Sequence, residues 1–369
     1  MKYRRMLIEQ ESPEEFGYGL IRNNLSESSI ADRTFGELDV DLTGLPLYYG
    51  EHRGEPELRN LIAAQGASSQ VTPDDVLVTA GAAGALFIIA TTLLERGSHL
   101  VVVRPNYATN IETPRAIGCD ISYVDLSFEE GFRTPIDRIE DAIRPNTAYI
   151  SVTCPHNPTG TMLSWAELER LDEIAERAGC LLLVDETYRD LAYGTPYPSA
   201  ASLSDRVIAV SSLSKAYGTP GLRLGWLITL NPELYERFLA AKEQIGICSG
   251  IVDETIGRAV LRQRDRWLAQ SGAVNRERRA IVSRWVEQEP HVEWVEPEGG
   301  VVCFPRVAME GFDPDRFYRS LLENHGTYVG PGHWFEMPKN YVRIGFAWPT
   351  ETQLRDGLAG ISAAVREQT

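Results

Sequence analysis

Short apolar segments and longer amphipathic segments alternate along most of the chain. The apolar runs predict buried strands, at residues 76–79, 99–103, 121–124, 149–153, 180–184 and 206–210. Helical periodicity marks residues 56–66, 86–96, 135–142, 164–178, 234–242, 256–268 and 274–287. Alternation of this kind is typical of an α/β fold with a mostly parallel central sheet. In such a sheet the carboxyl ends of the strands face one crevice, where a ligand binds.

The pattern changes near both ends of the chain. Residues 1–45 are polar and irregular, and they predict an N-terminal arm that belongs to a small domain. Residues 46–285 hold the alternating pattern and predict a large domain with connecting helices. Short strands and turns follow around residues 297–304, 327–332 and 341–347, so residues 286–369 are expected to form the rest of the small domain.

Polar side chains follow three of the predicted strands. Asn157, Asp185 and Lys215 each come directly or soon after an apolar run, so all three can reach the crevice of a parallel sheet. A carboxylate at the end of a leucine-rich strand is costly unless it is paired. This convergence predicts a site built from an amide, a carboxylate and an amine.

An anion site is predicted between the strand at 76–79 and the helix that follows it. The small residues Gly81, Ala82 and Ala83 form the turn between them. Free backbone N–H groups and the positive end of the helix dipole favour a phosphate at such a turn. Close packing of a helix on a strand requires small residues too, so the turn alone leaves both interpretations open.

The segment SSLSKAYGTPGLRLGW, residues 211–226, carries one lysine among hydroxyl groups and glycines. Lys215 follows the strand at 206–210, and Arg223 lies eight residues further on. Partial burial and a neighbouring cation lower the pKa of a lysine, and a neutral amine can form a Schiff base with an aldehyde. We therefore predict that Lys215 is a catalytic amine.

A second arginine stands in a predicted strand near the C-terminus. In the segment YVRIGFA, residues 341–347, strand alternation puts Arg343 on the face that also carries Gly345 and Ala347. An arginine among small residues can bind a carboxylate through two hydrogen bonds. Arg343 is therefore a candidate substrate ligand.

Composition narrows the class of protein. Lys and Arg total 36 against 52 Asp and Glu, a net charge of −16 that disfavours a nucleic-acid or anionic-membrane surface. Five scattered cysteines lack the spacing of a disulfide framework or metal site, which favours a reducing cytoplasm and no metal. We see neither a signal peptide nor a membrane-spanning run, and expect a soluble cytoplasmic protein.

Taken together, these segments resemble the fold-type I pyridoxal-phosphate-dependent aminotransferases of class I/II. The resemblance rests on SLSK with Arg223 and Gly225–Trp226 after it, on NPTG at 157–160, on LLLVDETY at 181–188 and on YYGEHRGEPELR at 48–59. It implies the cofactor pyridoxal 5′-phosphate and transfer of the α-amino group of an L-amino acid to a 2-oxo acid. It also implies a homodimer with a shared active site.

The resemblance assigns a role to each candidate residue. Lys215 would form the Schiff base, Asp185 would pair with the pyridine nitrogen, and Tyr188 and Asn157 would donate to the ring oxygen. Arg343 would bind the substrate carboxylate. The other expected ligands are Gly81, Ala82, Ala83, Ser212 and Arg223 at the phosphate, Tyr107 on the ring, Tyr49 of the partner subunit at its phosphate, and Asn157, Ser28 and Glu27 at the substrate.

Two alternative functions stay open. Residues 24–38 are similar to the corresponding region of capreomycidine synthases and related arginine-processing pyridoxal-phosphate enzymes, in which elimination and cyclisation, or oxidation by dioxygen, replace transamination. Glu27 could then meet a guanidinium, and a second arginine for a dicarboxylic substrate is not evident. The other alternative is a ligand-sensing regulator, which the acidic chain and its short N-terminal segment disfavour.

Overall fold

The computed structural model describes residues 1–66 and 68–368 as a mixed α/β structure. Its strands are β1 Asn23–Asn24, β2 Val76–Thr79, β3 His99–Arg104, β4 Asp120–Asp125, β5 Thr147–Thr153, β6 Leu181–Asp185, β7 Val207–Ser212, β8 Gly225–Thr229, β9 Val292–Glu293, β10 Val302–Cys303, β11 Arg306–Val307, β12 Thr327–Tyr328, β13 Gly330–Pro331 and β14 Val342–Gly345. Its helices are α1 Leu7–Gln10, α2 Pro13–Phe16, α3 Pro56–Gln65, α4 Gly81–Leu93, α5 Thr109–Ile117, α6 Ile136–Asp141, α7 Trp165–Ala178, α8 Pro232–Gly246, α9 Ile251–Arg262, α10 Arg264–Gln288, α11 Pro314–Glu323 and α12 Glu351–Arg366.

The central sheet has seven strands in the order β2-β8-β7-β6-β5-β3-β4. Strands β3 to β7 pair in parallel, whereas β8 is antiparallel to both of its neighbours. The predicted α/β fold with a mostly parallel sheet is therefore confirmed. The pattern did not predict β8, because GWLIT follows directly on the glycine-rich loop and has no turn of its own before it.

Buried faces hold the helices against this sheet. Helix α7 begins with a capping box, in which Ser164 and Glu167 bond to each other's backbone N–H groups, and it ends at Gly179 with φ +68°. Its buried side chains, Leu168, Leu171, Ile174 and Ala175, follow the helical repeat and join a core cluster with β5 and β6. Short loops at the helix ends then leave the carboxyl ends of the strands open toward the crevice.

Two of the helices predicted from the hydrophobic periodicity have other bounds in the structure. Helix α4 begins at Gly81 rather than near residue 86, because the small residues continue the helix up to the end of β2. The predicted helix 256–268 is wrong as a single element, since Gln263 leaves helical geometry at φ −107°, ψ 20° and separates α9 from α10. Arg264, the first residue of α10, then forms an ion pair with Asp190 at 3.1 Å.

The N-terminal segment joins the C-terminal third of the chain. Strand β1 pairs in parallel with β12, and the Gly345 N–H donates to the carbonyl of Leu25 at 2.7 Å. Strand β14 lies between β10 and β13 in a small antiparallel sheet. The contact is close: a Cβ at Gly345 would lie 1.6 Å from the backbone oxygen of Glu27. Residues 24–28 are therefore held directly against the strand that carries Arg343.

Within the described part of the chain, no helix combines the length and apolar character that a membrane crossing requires.

Substitution of Gly345 tests this junction. Because the added methyl group of Gly345→Ala has no space against the 24–28 backbone, we expect the free energy of unfolding to fall by about 1–3 kcal/mol. Gly36→Ala is the matched control, since nothing lies within 4 Å of its Cβ position, and should change stability by less than about 0.5 kcal/mol. Chemical denaturation of both variants measures the difference, and equal stabilities would contradict the predicted clash.

Candidate active site

A cavity of about 520 Å³ lies at the carboxyl ends of the parallel strands. It is lined by the N-terminal segment, the strand ends, the start of α4 and the C-terminal residues Trp334 and Arg343. Twelve of the residues predicted from the sequence line it: Glu27, Ser28, Ala82, Ala83, Tyr107, Asn157, Asp185, Tyr188, Ser212, Lys215, Arg223 and Arg343. Residues separated by more than 300 positions in the chain thus form one cavity.

Lys215 follows β7 and turns into the cavity. Its Nζ donates a hydrogen bond to Oγ of Ser28 at 3.1 Å. Burial, with the positive charges of Arg343 and Arg223, lowers the Lys215 pKa to about 8, although Glu27 opposes the shift. The amine is therefore partly neutral near neutral pH, as a nucleophile or a proton acceptor requires.

Asp185 ends β6 directly beside Thr153, its register partner at the end of β5. Thr187 donates to Oδ1 of Asp185 through its backbone N–H at 3.0 Å and its hydroxyl at 2.6 Å. Burial nevertheless raises the pKa of Asp185, since the carboxylate is removed from water. One of its oxygens thus has fixed donors, and the buried carboxylate would be stabilised by a protonated group in the cavity.

Tyr188 lines the cavity and bonds to the N-terminal segment. Its hydroxyl donates to the backbone oxygen of Ser28 at 2.7 Å, and burial raises the Tyr188 pKa to about 12. Ser28 is therefore held by two bonds, one to its carbonyl from Tyr188 and one to its hydroxyl from Lys215. Tyr107 faces the same cavity from the loop after β3, and burial raises its pKa as well.

The start of α4 and the loop before β8 form the anion-binding side. Ala82, Ala83 and Ser212 line the cavity there, together with Arg223. A Cβ at Gly81 would lie 2.9 Å from an Nη atom of Arg223, so the guanidinium lies directly over the helix start. Helix N–H groups, a hydroxyl and a guanidinium are suitable donors for a phosphate.

Arg343 also lines the cavity and is 3% exposed. One Nη donates to Oδ1 of Asn157 at 3.2 Å and the other to the backbone oxygen of Ser26 at 2.6 Å, whereas Nε has no partner in the described residues. Burial lowers the Arg343 pKa from its ordinary value. A buried guanidinium with unused hydrogen-bonding capacity is suited to an anionic ligand.

Several lining residues were not predicted from the sequence. Ile8, Glu9, Ser12, Pro13 and Glu14 reach the cavity from α1 and α2, and Ser26, Leu86, Thr153, Thr187, Ser214, Pro220, Gly221 and Trp334 complete it. The first two helices have only four residues each, too few for periodicity to show which side chains face inward. Only the chain path over the crevice brings them there.

Two predicted residues do not line the cavity. Gly81 lies behind it, against Arg223. Tyr49 is 78% exposed on the surface, in an apolar run with Leu47 and Tyr48. Within the described residues, no group of three or more His, Cys, Asp or Glu side chains could hold a metal ion.

Comparison with known proteins identifies the family. The family model for aminotransferase class I and II matches residues 41–361, and the chain therefore belongs to this family. It is 28% identical to capreomycidine synthase of Streptomyces vinaceus, over 94% of this chain and 90% of the relative. It is 27% identical to an aspartate aminotransferase of Pyrococcus horikoshii, over 82% and 80% of the two chains.

A solved structure supports the fold assignment. A PLP-dependent aminotransferase from Streptococcus suis is similar with a TM-score of 0.92 and 29% sequence identity, over 100% of this chain and 99% of that chain. The protein is accordingly a pyridoxal-phosphate-dependent enzyme of the aminotransferase type, and pyridoxal 5′-phosphate is its expected cofactor.

The pKa of Lys215 can be measured without the cofactor. Competitive labelling of the apoprotein with acetic anhydride reports the neutral fraction of each amine, which increases as pH rises through its pKa. We expect half-maximal labelling of Lys215 near pH 8. Lys339 is the internal control, because its hydrogen bond to Asp315 raises its pKa above the ordinary value. A labelling profile of Lys215 that coincides with that of Lys339 would contradict the shift.

Proposed function

We propose that the protein is an aminotransferase that holds pyridoxal 5′-phosphate on Lys215 as a Schiff base and transfers the α-amino group of an L-amino acid to a 2-oxo acid. The observation that carries the proposal is the buried Lys215 amine, with its lowered pKa, in one cavity with Asp185, Arg223 and Arg343. An amine, a buried carboxylate and two separate anion ligands are the groups that this chemistry needs.

The donor set fits the cofactor. Ser212, Arg223 and the α4 turn with Gly81, Ala82 and Ala83 would hold its phosphate. Asp185 would pair with the pyridine nitrogen, Asn157 and Tyr188 would donate to the ring oxygen, and Tyr107 would cover the ring. Bound there, the cofactor supplies an electron sink for the pair left when the substrate Cα loses its proton.

Two residues would then act on the amino acid. Arg343 would bind the α-carboxylate, with Asn157 beside it to fix the plane of the guanidinium. Lys215, about half of which is neutral at pH 8, would accept the proton from Cα. Its ammonium form would then donate that proton to the cofactor, since return to Cα would only regenerate the amino acid. Ser28 is the residue that orients the amine in the structure, through the 3.1 Å bond between its hydroxyl and Nζ.

Lys215→Ala tests this assignment. We expect the variant to lose the covalent attachment of the cofactor. Its turnover rate should fall at least about 10²–10⁴-fold, the range for loss of a general base. Borohydride reduction of the wild-type holoenzyme should leave the cofactor on the Lys215 peptide. Lys242 is a matched comparison, because its pKa is also lowered to about 8 but it lies outside the cavity. An adduct on Lys242, or full turnover by Lys215→Ala, would refute the proposal.

In a second candidate function, the same groups would remove the proton from Cα of the substrate, but a different reaction would follow. Similarity to capreomycidine synthase extends over 94% of the chain, more than the 82% matched by the aspartate aminotransferase. In addition, Glu27 and Ser28 of the 24–38 segment line the cavity with Lys215, and Ser28 accepts a hydrogen bond from it. This supports elimination and cyclisation, or oxidation, of an arginine derivative as the alternative to transamination.

Product analysis distinguishes the two. If the enzyme is an aminotransferase, each 2-oxo acid formed from the donor should be matched by one amino acid formed from an added acceptor. If it is a cyclase or oxidase, product should form without an acceptor, with loss of water or uptake of dioxygen. Mass spectrometry and an oxygen electrode measure these balances, and Lys215→Ala supplies the inactive control.

We also propose that the enzyme is a homodimer in which Tyr49 of one subunit completes the phosphate site of the other. The apolar run of Leu47, Tyr48 and Tyr49 is exposed. It lies near α9, since a Cβ at Gly50 would contact Ile251. Exposed apolar side chains at the ends of α8 and α9, Ile245, Ile247 and Val252, extend this surface.

Mixed dimers test the shared site. Loss of a hydroxyl bonded to phosphate should weaken cofactor binding about 10- to 100-fold in Tyr49→Phe, whereas Tyr48→Phe is the neighbouring control. A heterodimer of Tyr49→Phe and Lys215→Ala subunits contains one intact site only if Tyr49 acts across the interface. It should recover about half of wild-type activity at limiting cofactor. Activity no greater than that of the Tyr49→Phe homodimer would exclude sharing.

The division into domains and the cytoplasmic location stay predictions. All five cysteines are free thiols in the structure, in keeping with the reducing compartment expected from their spacing.

A further inference from the structure

We propose that Arg33 is a positioning residue for Lys215, because it fixes the loop that carries the amine and the N-terminal segment that covers it in one arrangement. The proposal rests on the proposed function, in which Lys215 is the reacting amine. Arg33 is not among the residues that line the cavity. It would therefore act through the loop rather than on the reacting atoms.

Arg33 donates two hydrogen bonds to the loop at residues 215–218, which is an irregular turn. Its Nε donates to the carbonyl of Tyr217 at 3.0 Å, and its backbone N–H donates to the carbonyl of Gly218 at 2.8 Å. One residue thus fixes two successive peptide groups, two and three positions after the amine.

Other parts of the chain hold the first half of the loop. The carbonyl of Lys215 accepts from the backbone N–H of Ile30 at 3.2 Å, and the carbonyl of Ala216 accepts from Oγ of Ser271 at 2.9 Å. Every carbonyl of residues 215–218 therefore has a donor in the N-terminal segment or in α10. The place of the amine depends on how these two elements lie relative to each other.

The N-terminal segment lies directly on the loop. Gly218 has φ +65°, and a Cβ there would lie 2.4 Å from the backbone oxygen of Ala31. No side chain fits between the two backbones. This close approach places Ser28, three residues before Ala31, where its hydroxyl accepts the 3.1 Å hydrogen bond from Nζ of Lys215. If the segment moved away, the amine would meet water instead.

The side chain of Arg33 also joins the segment to α10. Its guanidinium carbon lies 4.0 Å from the ring centroid of Trp267, which is 1% exposed, and a guanidinium over a buried indole is attracted to it. Residues 31–32 and 34–37 are exposed, whereas the Arg33 side chain is only 10% exposed. Within this stretch, Arg33 is thus the side chain that holds the segment against both the loop and α10.

Burial is the main cause of the lowered pKa of Lys215. Charged side chains have smaller effects on it, the four strongest coming from Arg343, Glu27, Arg223 and Glu9. Arg33 is not one of these four, so its own charge acts on the amine more weakly than theirs. Loss of Arg33 should therefore raise the pKa of Lys215 mainly by admitting water to the amine.

Arg33→Met tests the inference in the apoprotein, since methionine keeps an apolar stem but removes the Nε donor and the guanidinium. We expect the pH of half-maximal labelling of Lys215 by acetic anhydride to rise from about 8 by about one unit or more. At pH 7 the neutral fraction of the amine would then fall about tenfold. Lys339 in the same sample is the internal reference.

Arg266→Met is the matched control. The guanidinium carbon of Arg266 lies 4.6 Å from the centroid of the same Trp267 ring, but its Nη1 donates to Gln263 rather than to the loop. This variant should keep the wild-type labelling profile. Arg33→Lys controls for charge, because lysine stays cationic but lacks the planar group that stacks and donates through Nε at once. It should shift the Lys215 profile in the same direction as Arg33→Met.

Three results would overturn the inference. They are an unchanged Lys215 profile in Arg33→Met, an equal shift in Arg266→Met, and a wild-type profile in Arg33→Lys, which would attribute the effect to charge alone. Chemical denaturation accompanies the labelling, since a residue that only adds stability would lower the free energy of unfolding without moving the profile. If Arg33→Met does not fold, the Arg33→Lys profile decides.

Failure of this inference is separable from failure of the proposed function. The labelling experiment involves neither cofactor nor turnover, whereas borohydride reduction identifies the lysine that carries the cofactor whatever holds its loop. A wild-type holoenzyme with the cofactor on Lys215, together with unshifted Arg33 variants, would retain the proposed function and exclude the positioning role.

Discussion

The cost of removing the Lys215 amine from water determines much of this structure. Burial among Arg343 and Arg223 disfavours the ammonium form and lowers the pKa to about 8. The cost is tolerable because Ser28 accepts a hydrogen bond from Nζ and because Glu27 lies near enough to oppose the shift. A lysine on an exposed loop would meet neither condition, and its amine would stay protonated at neutral pH.

The N-terminal segment supplies those compensating groups, so its attachment is part of the site. It pairs with β12 and contacts β14 so closely that Gly345 has no room for a side chain. Tyr188 holds it from the central sheet through the Ser28 carbonyl. The strand that carries Arg343, the segment that carries Glu27 and the loop that carries Lys215 are thus fixed relative to one another.

Charge is distributed unevenly in this acidic protein. The net charge is −16, yet the buried Arg343 and the exposed Arg223 both line the cavity, together with Glu9, Glu14 and Glu27 of the N-terminal segment. Cations and carboxylates in one cavity can bind a ligand that carries both charges before any chemistry occurs.

The amino-acid sequence alone determined the fold class, most of the central strands and the residues at their ends. Burial requires apolar runs, and parallel strands bring Asp185 and Lys215 to one edge wherever the intervening helices lie. Alternation within β14 likewise fixed the face of Arg343. Tertiary structure decided what lacks a local pattern: the antiparallel β8, the break at Gln263 and the approach of α1 and α2 to the cavity. Glu9 and Glu14 could not be predicted as lining residues, because helices of four residues show no periodicity and their position depends on contacts of Glu11 with residues more than 300 positions away.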